Sequence, residues 1–164
     1  MNKKIRIGCA SGFWGDTDIA APQIIEKGNV DYLVCDYLSE VTMSILSRAK
    51  LKSSEHGYAK DFINHVGPLL KTIKQNKIKV ISNAGGVNLD ACKKALSNKA
   101  KKENINLKII TVEGDDLSGF QKDLQKMSIK EIDSGKSLPE NLLSINAYLG
   151  APGINRALDQ GADI

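Results

Sequence analysis

The chain has 164 residues, of which 41% are hydrophobic, 26% charged and only 5% aromatic, with a net charge of +4. That length fills one domain, and the balance excludes a disordered or fibrous chain and implies a mainly aliphatic core. No apolar run approaches the roughly 20 residues of a membrane span. The start Met1-Asn2-Lys3-Lys4-Ile5 does not read as a signal peptide. Cys9, Cys35 and Cys92, odd in number and far apart, fit a reducing, cytoplasmic setting better than a disulfide scaffold.

Short β-branched runs alternate with amphipathic ones. Residues 4–10 read as a first strand, 31–35 as a second, 78–82 as a third, 107–112 as a fourth and 143–148 as a weaker fifth. Between them, Leu38, Val41, Ile45, Leu46 and Ala49 share one helical face. Phe62, Val66, Leu69, Leu70 and Ile73 share another, with a kink expected at Gly67-Pro68. Leu89, Cys92, Ala95, Leu96 and Ala100 form a third stripe, and Phe120, Leu124 and Met127 mark a shorter helix. Ser134 to Pro139 reads as a surface loop that could close an edge hairpin with residues 129–133. This alternation predicts βαβ units in one α/β domain over residues 1–164: an open, mostly parallel, doubly wound sheet with helices on both faces, in three Rossmann-like layers.

The C-terminal stretch carries a further helix through Ile154, Ala157 and Leu158, with Gly161 as its cap. Ala162-Asp163-Ile164 then begins what resembles another strand. The expectation is a truncated N-terminal part of a longer protein, with a frayed natural tail as the alternative.

Ligands of open parallel sheets bind beyond the carboxyl ends of the strands. Ser11, Gly12, Trp14 and Asp16 follow the first strand, Asp36 and Glu40 the second, Asn83, Gly85 and Gly86 the third, and Glu113 and Asp115 the fourth. Asn146 and Tyr148 lie in the fifth. The opposite rim would carry Lys3, Lys4, Lys77 and Lys79. Each rim residue also has a purely structural reading. Glycines make turns, Asp16 or Asp18 can cap the helix that follows, Asn88 can cap the Leu89 helix, and Asp115 or Asp116 the Phe120 helix. The rim holds hardly a Lys or Arg, so a divalent cation such as magnesium, a polyol or proton transfer suits it better than a phosphate. A P-loop and a dinucleotide fingerprint are both missing from the sequence. His56 and His65 lack paired cysteines, so no zinc site is expected. Cys9 and Cys35 read as small hydrophobes inside strands. The lysines between 93 and 108 lack interleaved aromatics, so nucleic acid is not an expected partner.

The same rim segments resemble a known family. Ile7-Gly8-Cys9-Ala10-Ser11-Gly12-Phe13-Trp14-Gly15-Asp16 is similar to the opening of the acyclic terpene utilisation (AtuA-like) family, formerly a domain of unknown function. The block from Asp31 to Leu46, the run Val80-Ile81-Ser82-Asn83-Ala84-Gly85-Gly86-Val87-Asn88, and the segments at Val112–Leu117 and Asn146–Ala151 resemble its next four blocks in order and spacing. Ala151-Pro152-Gly153-Ile154 departs from the pattern by one residue. The resemblance implies catabolism of acyclic terpenes through acyl-CoA intermediates.

The expected function is therefore a catabolic enzyme, or its N-terminal part, acting on a small organic acid or acyl-CoA by lyase- or hydratase-type chemistry. Asp36, Glu40, Glu113 and Asp115 are the candidate catalytic groups. Ser11, Gly12, Trp14, Asp16, Asn83, Gly85, Gly86, Asn146 and Tyr148 are the candidates for substrate contact. The alternatives are a non-catalytic ligand-binding or assembly module and an inactive remnant. A homo-oligomer fits the sheet edge left open by the short last strand.

Overall fold

The computed structural model describes residues 4–164, so Lys3 lies outside the described residues. Three parallel strands, β1 (Ile7–Ser11), β2 (Tyr32–Cys35) and β3 (Lys79–Ser82), pair in the order β1-β2-β3. Their register aligns Gly8 with Leu33 and Leu33 with Val80. It jumps after Cys9, so that Ser11 stands opposite Cys35. Gly8 is required where α1 (Ala20–Lys27) crosses β1: a Cβ there would lie 2.4 Å from Ile24 Cγ2.

Three α-helices lie between β2 and β3. α2 (Glu40–Lys52) connects to α3 (Lys60–Val66), and Gly67-Pro68 tightens the next turn before α4 (Leu70–Gln75), the kink the proline predicts. α5 (Leu89–Lys102) starts at Asn88, whose Oδ1 accepts the Ala91 N–H at 3.3 Å, as a capping residue should. The core is aliphatic with one edge-to-face aromatic pair: Leu33, Val80, Ile25, Val66, Leu70, Ile73, Leu96 and Ala100 are buried, and Tyr37 packs against Phe62.

The outer strands depart from expectation. Residues 107–112 run extended without a ladder of their own. Lys108 O accepts the Asp163 N–H at 2.8 Å, Ile110 N–H donates to Ile164 O at 2.9 Å, and Val80 N–H donates to Asp163 O at 2.9 Å. The C-terminal tail therefore lies between β3 and residues 108–110, too few residues on either side to complete a regular strand. Residues 143–148 do not join the parallel sheet at all. They make an isolated antiparallel bridge, Asp116 with Asn146, because the chain doubles back there. The hairpin near residue 134 is present as a bridge between Lys130 and Ser137.

The connections settle where the helices lie. Steps from β1 to β2 to β3 and on to residues 108–110 advance in one direction, and α1, α3 and α5 pack together on that face. The return to residues 162–164 runs the other way, through α7 (Pro152–Asp159), and right-handed crossover assigns it to the opposite face. Gly161 (φ +81°) ends α7 in a Schellman motif, with Ala162 N–H bonded to Ala157 O.

Two apolar stripes do not face the core as expected. On α2 the buried residues are Thr42, Leu46 and Ser47, whereas Val41 and Ile45 are exposed. Ser39 and Thr42 bond each other, and Ser47 bonds Met43 O, which lets those hydroxyls be buried at little cost. On α6 (Gln121–Lys126) and its preceding turn, Phe120 and Met127 are exposed and no residue is buried. Cys9 is exposed rather than packed inside, because its strand face has little covering it.

Candidate functional site

β1, β2 and β3 end side by side, which places Ser11, Asp36 and Asn83 in a row. Asp36 N–H donates to Ser11 O at 3.0 Å. The Asn83 side chain ties the next two tips together. Its Oδ1 accepts the Tyr37 N–H at 2.8 Å, and its Nδ2 donates to Asp36 Oδ1 at 2.6 Å. Asn83 thus orients a carboxylate, a role that the substrate-contact expectation did not include. Ser82 Oγ closes the same junction, donating to Cys35 O and accepting from Ala84 N–H.

Beneath this row lies the only buried side-chain oxygen without a hydrogen-bond partner among the described residues, Ser11 Oγ. It sits beside the Cys35 thiol and the Tyr37 hydroxyl. Burial pushes the Cys35 thiol up to about 12 and raises Tyr37 as well, so both stay protonated at neutral pH. Above it, Asp16 organises the first loop by accepting the Gly12 N–H at 3.0 Å and the Thr17 N–H at 2.7 Å. Those two bonds, Gly12 first, hold its carboxyl below the usual range. Trp14 is half-buried against the core. A side chain added at Gly12 would meet open space.

The glycines after β3 differ from Gly12. Gly86 (φ +54°) is buried, and a Cβ there would meet Leu46 Cδ1 at 2.5 Å and Gly57 O at 2.7 Å. Gly85 is closed off by Leu89 at 3.0 Å. Both are explained by packing, Gly86 against α2 and the Gly57 loop and Gly85 against the start of α5.

The outer rim is built by the later segments. Asn146 Nδ2 donates to Asp115 Oδ2 at 2.9 Å, a second amide–carboxylate pair. Tyr148 Oη lies 3.4 Å from Glu40 Oε1, linking residues 108 positions apart. Glu113 accepts the Thr111 hydroxyl at 3.0 Å. Glu113, Asp115 and Asp116 face Lys50, Asn88 and Asp90 across an open groove of about 280 Å³. Asp116 is held below the ordinary range by the Ser118 hydroxyl and N–H, with Lys50 adding to the effect. The groove adjoins the loop that begins at Asn83, so the inner row and the outer rim are neighbours.

Sequence reasoning missed Lys50, a cation on a rim read as acidic. It reaches over from α2 to donate to Val87 O at 2.5 Å. Its signal was position alone: it lies in the last turn of α2, whose first turn already supplied Glu40. Among the described residues no three His, Cys, Asp or Glu side chains converge closely enough to hold a metal ion. No helix among them is long and apolar enough to cross a membrane.

No curated protein and no solved structure matches this chain. A family model does, that of the acyclic terpene utilisation family protein AtuA, over residues 5–164. The match spans the strand tips, the Asn83 loop and the outer rim, and on it the chain belongs to the AtuA family.

Proposed function

We propose that the strand-tip rim is the binding and reaction site of a catabolic, cytoplasmic enzyme for a small organic acid or its CoA thioester, with proton-transfer chemistry of the lyase or hydratase type. The observation that carries this reading is the Asn83–Asp36 pair at 2.6 Å, at the end of the sheet where open α/β proteins hold ligands. An amide donating to one carboxylate oxygen fixes the carboxylate and leaves its other oxygen free to take a proton. Asn146 does the same for Asp115. Asp36 serves as the inner base, and Asp115, Glu113 and Glu40 serve on the outer rim. Gly12 leaves backbone open to a ligand, and the Lys50 ammonium supplies one positive group for a carboxylate or thioester oxygen.

The test is a thermal-shift screen of the chain against CoA esters and small organic acids, with and without magnesium, repeated on Asp36→Asn and Glu113→Gln. A stabilising ligand whose effect falls at least about tenfold in affinity in Asp36→Asn supports the reading. Wild-type binding and turnover in both variants would remove the rim from the chemistry.

A further inference from the structure

Residues 115–147 form a small lobe that is held together from within. Its neck is the bridge of Asp116 with Asn146, flanked by the Leu117 N–H donating to Ile145 O at 2.7 Å and the Ala147 N–H donating to Asp115 O at 2.8 Å. Further out, the Gln121 and Gln125 side chains donate to Glu140 O and Pro139 O and tie α6 to the returning chain. Among the described residues, no hydrogen bond or ion pair runs from this lobe to the rest of the fold. No residue between positions 101 and 161 is buried, so no shared core fixes the lobe to the body either.

Both ends of the lobe are glycines in conformations that other residues avoid. Gly114 has φ +116° and Gly150 has φ +69°. Positions of this kind absorb the backbone change of a hinge, and here two of them bracket one self-contained unit.

The lobe leaves the sheet from residues 107–112, beyond the C-terminal tail and β3, yet the chain returns from it to α2, the helix after β2. There Tyr148 Oη lies 3.4 Å from Glu40 Oε1, although the Tyr148 side chain is 96% exposed. This path crosses the tips of the tail and β3, at the groove where Glu113, Asp115 and Asp116 face Lys50, Asn88 and Asp90. Apolar side chains stand in water on both sides of the contact: Val41 and Ile45 on α2 next to Glu40, and Leu143, Tyr148 and Leu149 on the returning chain. Bringing the two sets together removes apolar surface from water. One exposed hydrogen bond between them is weak enough to break and re-form.

We propose that residues 115–147 are a lid: the lobe swings as a rigid unit on Gly114 and Gly150, closes over the strand-tip groove, and is latched against α2 by the Tyr148–Glu40 hydrogen bond. Closure covers Asn88 and Asp90 and carries the Asp115–Asn146 pair toward Asp36 and Asn83, in a site from which water is expelled. That the lid guards a reaction site rests on the reading of the rim given above. The swing itself does not, and it is measured without a ligand.

Pulsed electron paramagnetic resonance on the full chain tests the swing. In a Cys9→Ser background, which leaves only the buried Cys35 and Cys92, spin labels are placed through Glu26→Cys in α1 and Ile132→Cys at the outer end of the lobe. A second pair, Lys122→Cys with Ile132→Cys, lies within the lobe. Tyr148→Phe removes the latch hydroxyl from an exposed side chain, with circular dichroism as the fold control. The populations in the distance distribution between positions 26 and 132 should shift about two- to tenfold in Tyr148→Phe, as loss of one hydrogen bond implies. The distance between positions 122 and 132 should stay single and unchanged. A distribution between 26 and 132 that Tyr148→Phe leaves as it was overturns the proposal. So does a broad distribution between 122 and 132, which describes a slack arm instead of a lid. Covering of the groove is read separately. In the same background, the thiol introduced by Asp90→Cys should react with a maleimide faster in Tyr148→Phe by a similar factor, and an unchanged rate rejects closure over the groove.

Discussion

Gly86→Ala should be among the most damaging single-methyl additions to this fold, although Gly86 lies in a loop. Its φ of +54° is left-handed, where a Cβ costs about 1–2 kcal/mol. The new methyl would also stand 2.5 Å from Leu46 Cδ1 and 2.7 Å from the Gly57 carbonyl oxygen. Leu46 is almost fully buried and the carbonyl is backbone, so neither can turn aside. Overpacking of this kind costs about 1–3 kcal/mol. Together the two give a loss of roughly 2–5 kcal/mol, a large part of the 5–15 kcal/mol typical of a domain. For a chain of this size that lowers the melting temperature by about 4–20 °C. Gly12→Ala is the internal control. Its added methyl meets nothing within 4 Å and its φ is not left-handed, so its loss should stay below about 1 kcal/mol. Urea denaturation of both variants measures the difference. A Gly86→Ala protein within about 0.5 kcal/mol of wild type, or a Gly12→Ala protein equally damaged, would show that this packing argument is wrong.

Asp163 links the tail to the rest of the fold, and its titration should be visible in stability. Burial alone would raise its carboxyl, but the Lys108 N–H, Lys74 at 2.7 Å and Lys79 at 3.2 Å outweigh burial and hold it below the ordinary value. The folded protein therefore binds that proton less readily than the unfolded chain does. The contribution is complete above the unfolded pKa near 4 and is lost as pH falls below it. Urea midpoints should accordingly drop at pH 3 relative to pH 6 by less in Asp163→Asn than in wild type, and the variant should be less stable by about 1–3 kcal/mol at neutral pH. Of the three thiols, only Cys9 should react promptly with a thiol reagent in the native state, because Cys35 and Cys92 are buried and both pushed up to about 12. Full reaction of all three without denaturant would contradict that burial. Asn83→Leu should loosen Asp36 and the Tyr37 N–H together, and loss of ligand response with helicity retained is the expected signature.

The inner half of the fold was readable because its signals are local. Gly67-Pro68 sits where the helix breaks, Asn88 caps α5, and Gly161 ends α7. The short apolar runs that became β1, β2 and β3 are separated by helical stretches, one helix between the first two and α2, α3 and α4 between the last two, and a change of period between strand and helix is what a local pattern detects. What periodicity could not give was the use to which an apolar stripe is put. Val41 and Ile45 follow the helical repeat as faithfully as Leu46, yet α2 buries Thr42, Leu46 and Ser47, the two hydroxyls being satisfied by Ser39 and by Met43 O and Leu46 lying against the loop at Gly86. Residues 107–112 read as a strand for good reason, and their extended backbone agrees. Only the position of residues 163–164 beside them, a non-local fact, decides how much ladder they form.

The rim divides along the same line. Loops that follow adjacent parallel strands must end together, so the row of Ser11, Asp36 and Asn83 follows from topology once the strands are recognised. The pairing of each carboxylate with an amide does not, because it depends on which of several polar residues faces its neighbour. Asp36 with Asn83 and Asp115 with Asn146 are separated by 47 and 31 residues, distances at which spacing carries no information. Lys50 illustrates the converse error. An inventory of residues directly after strands finds carboxylates and overlooks a cation that arrives sideways from the end of a helix, and it therefore overstates the negative charge of the site. The ammonium lies in the same groove as Glu113, Asp115 and Asp116, so the local field there is mixed. A ligand bearing its own carboxylate or thioester oxygen then finds one positive group in the groove, which a rim of carboxylates alone would not offer it.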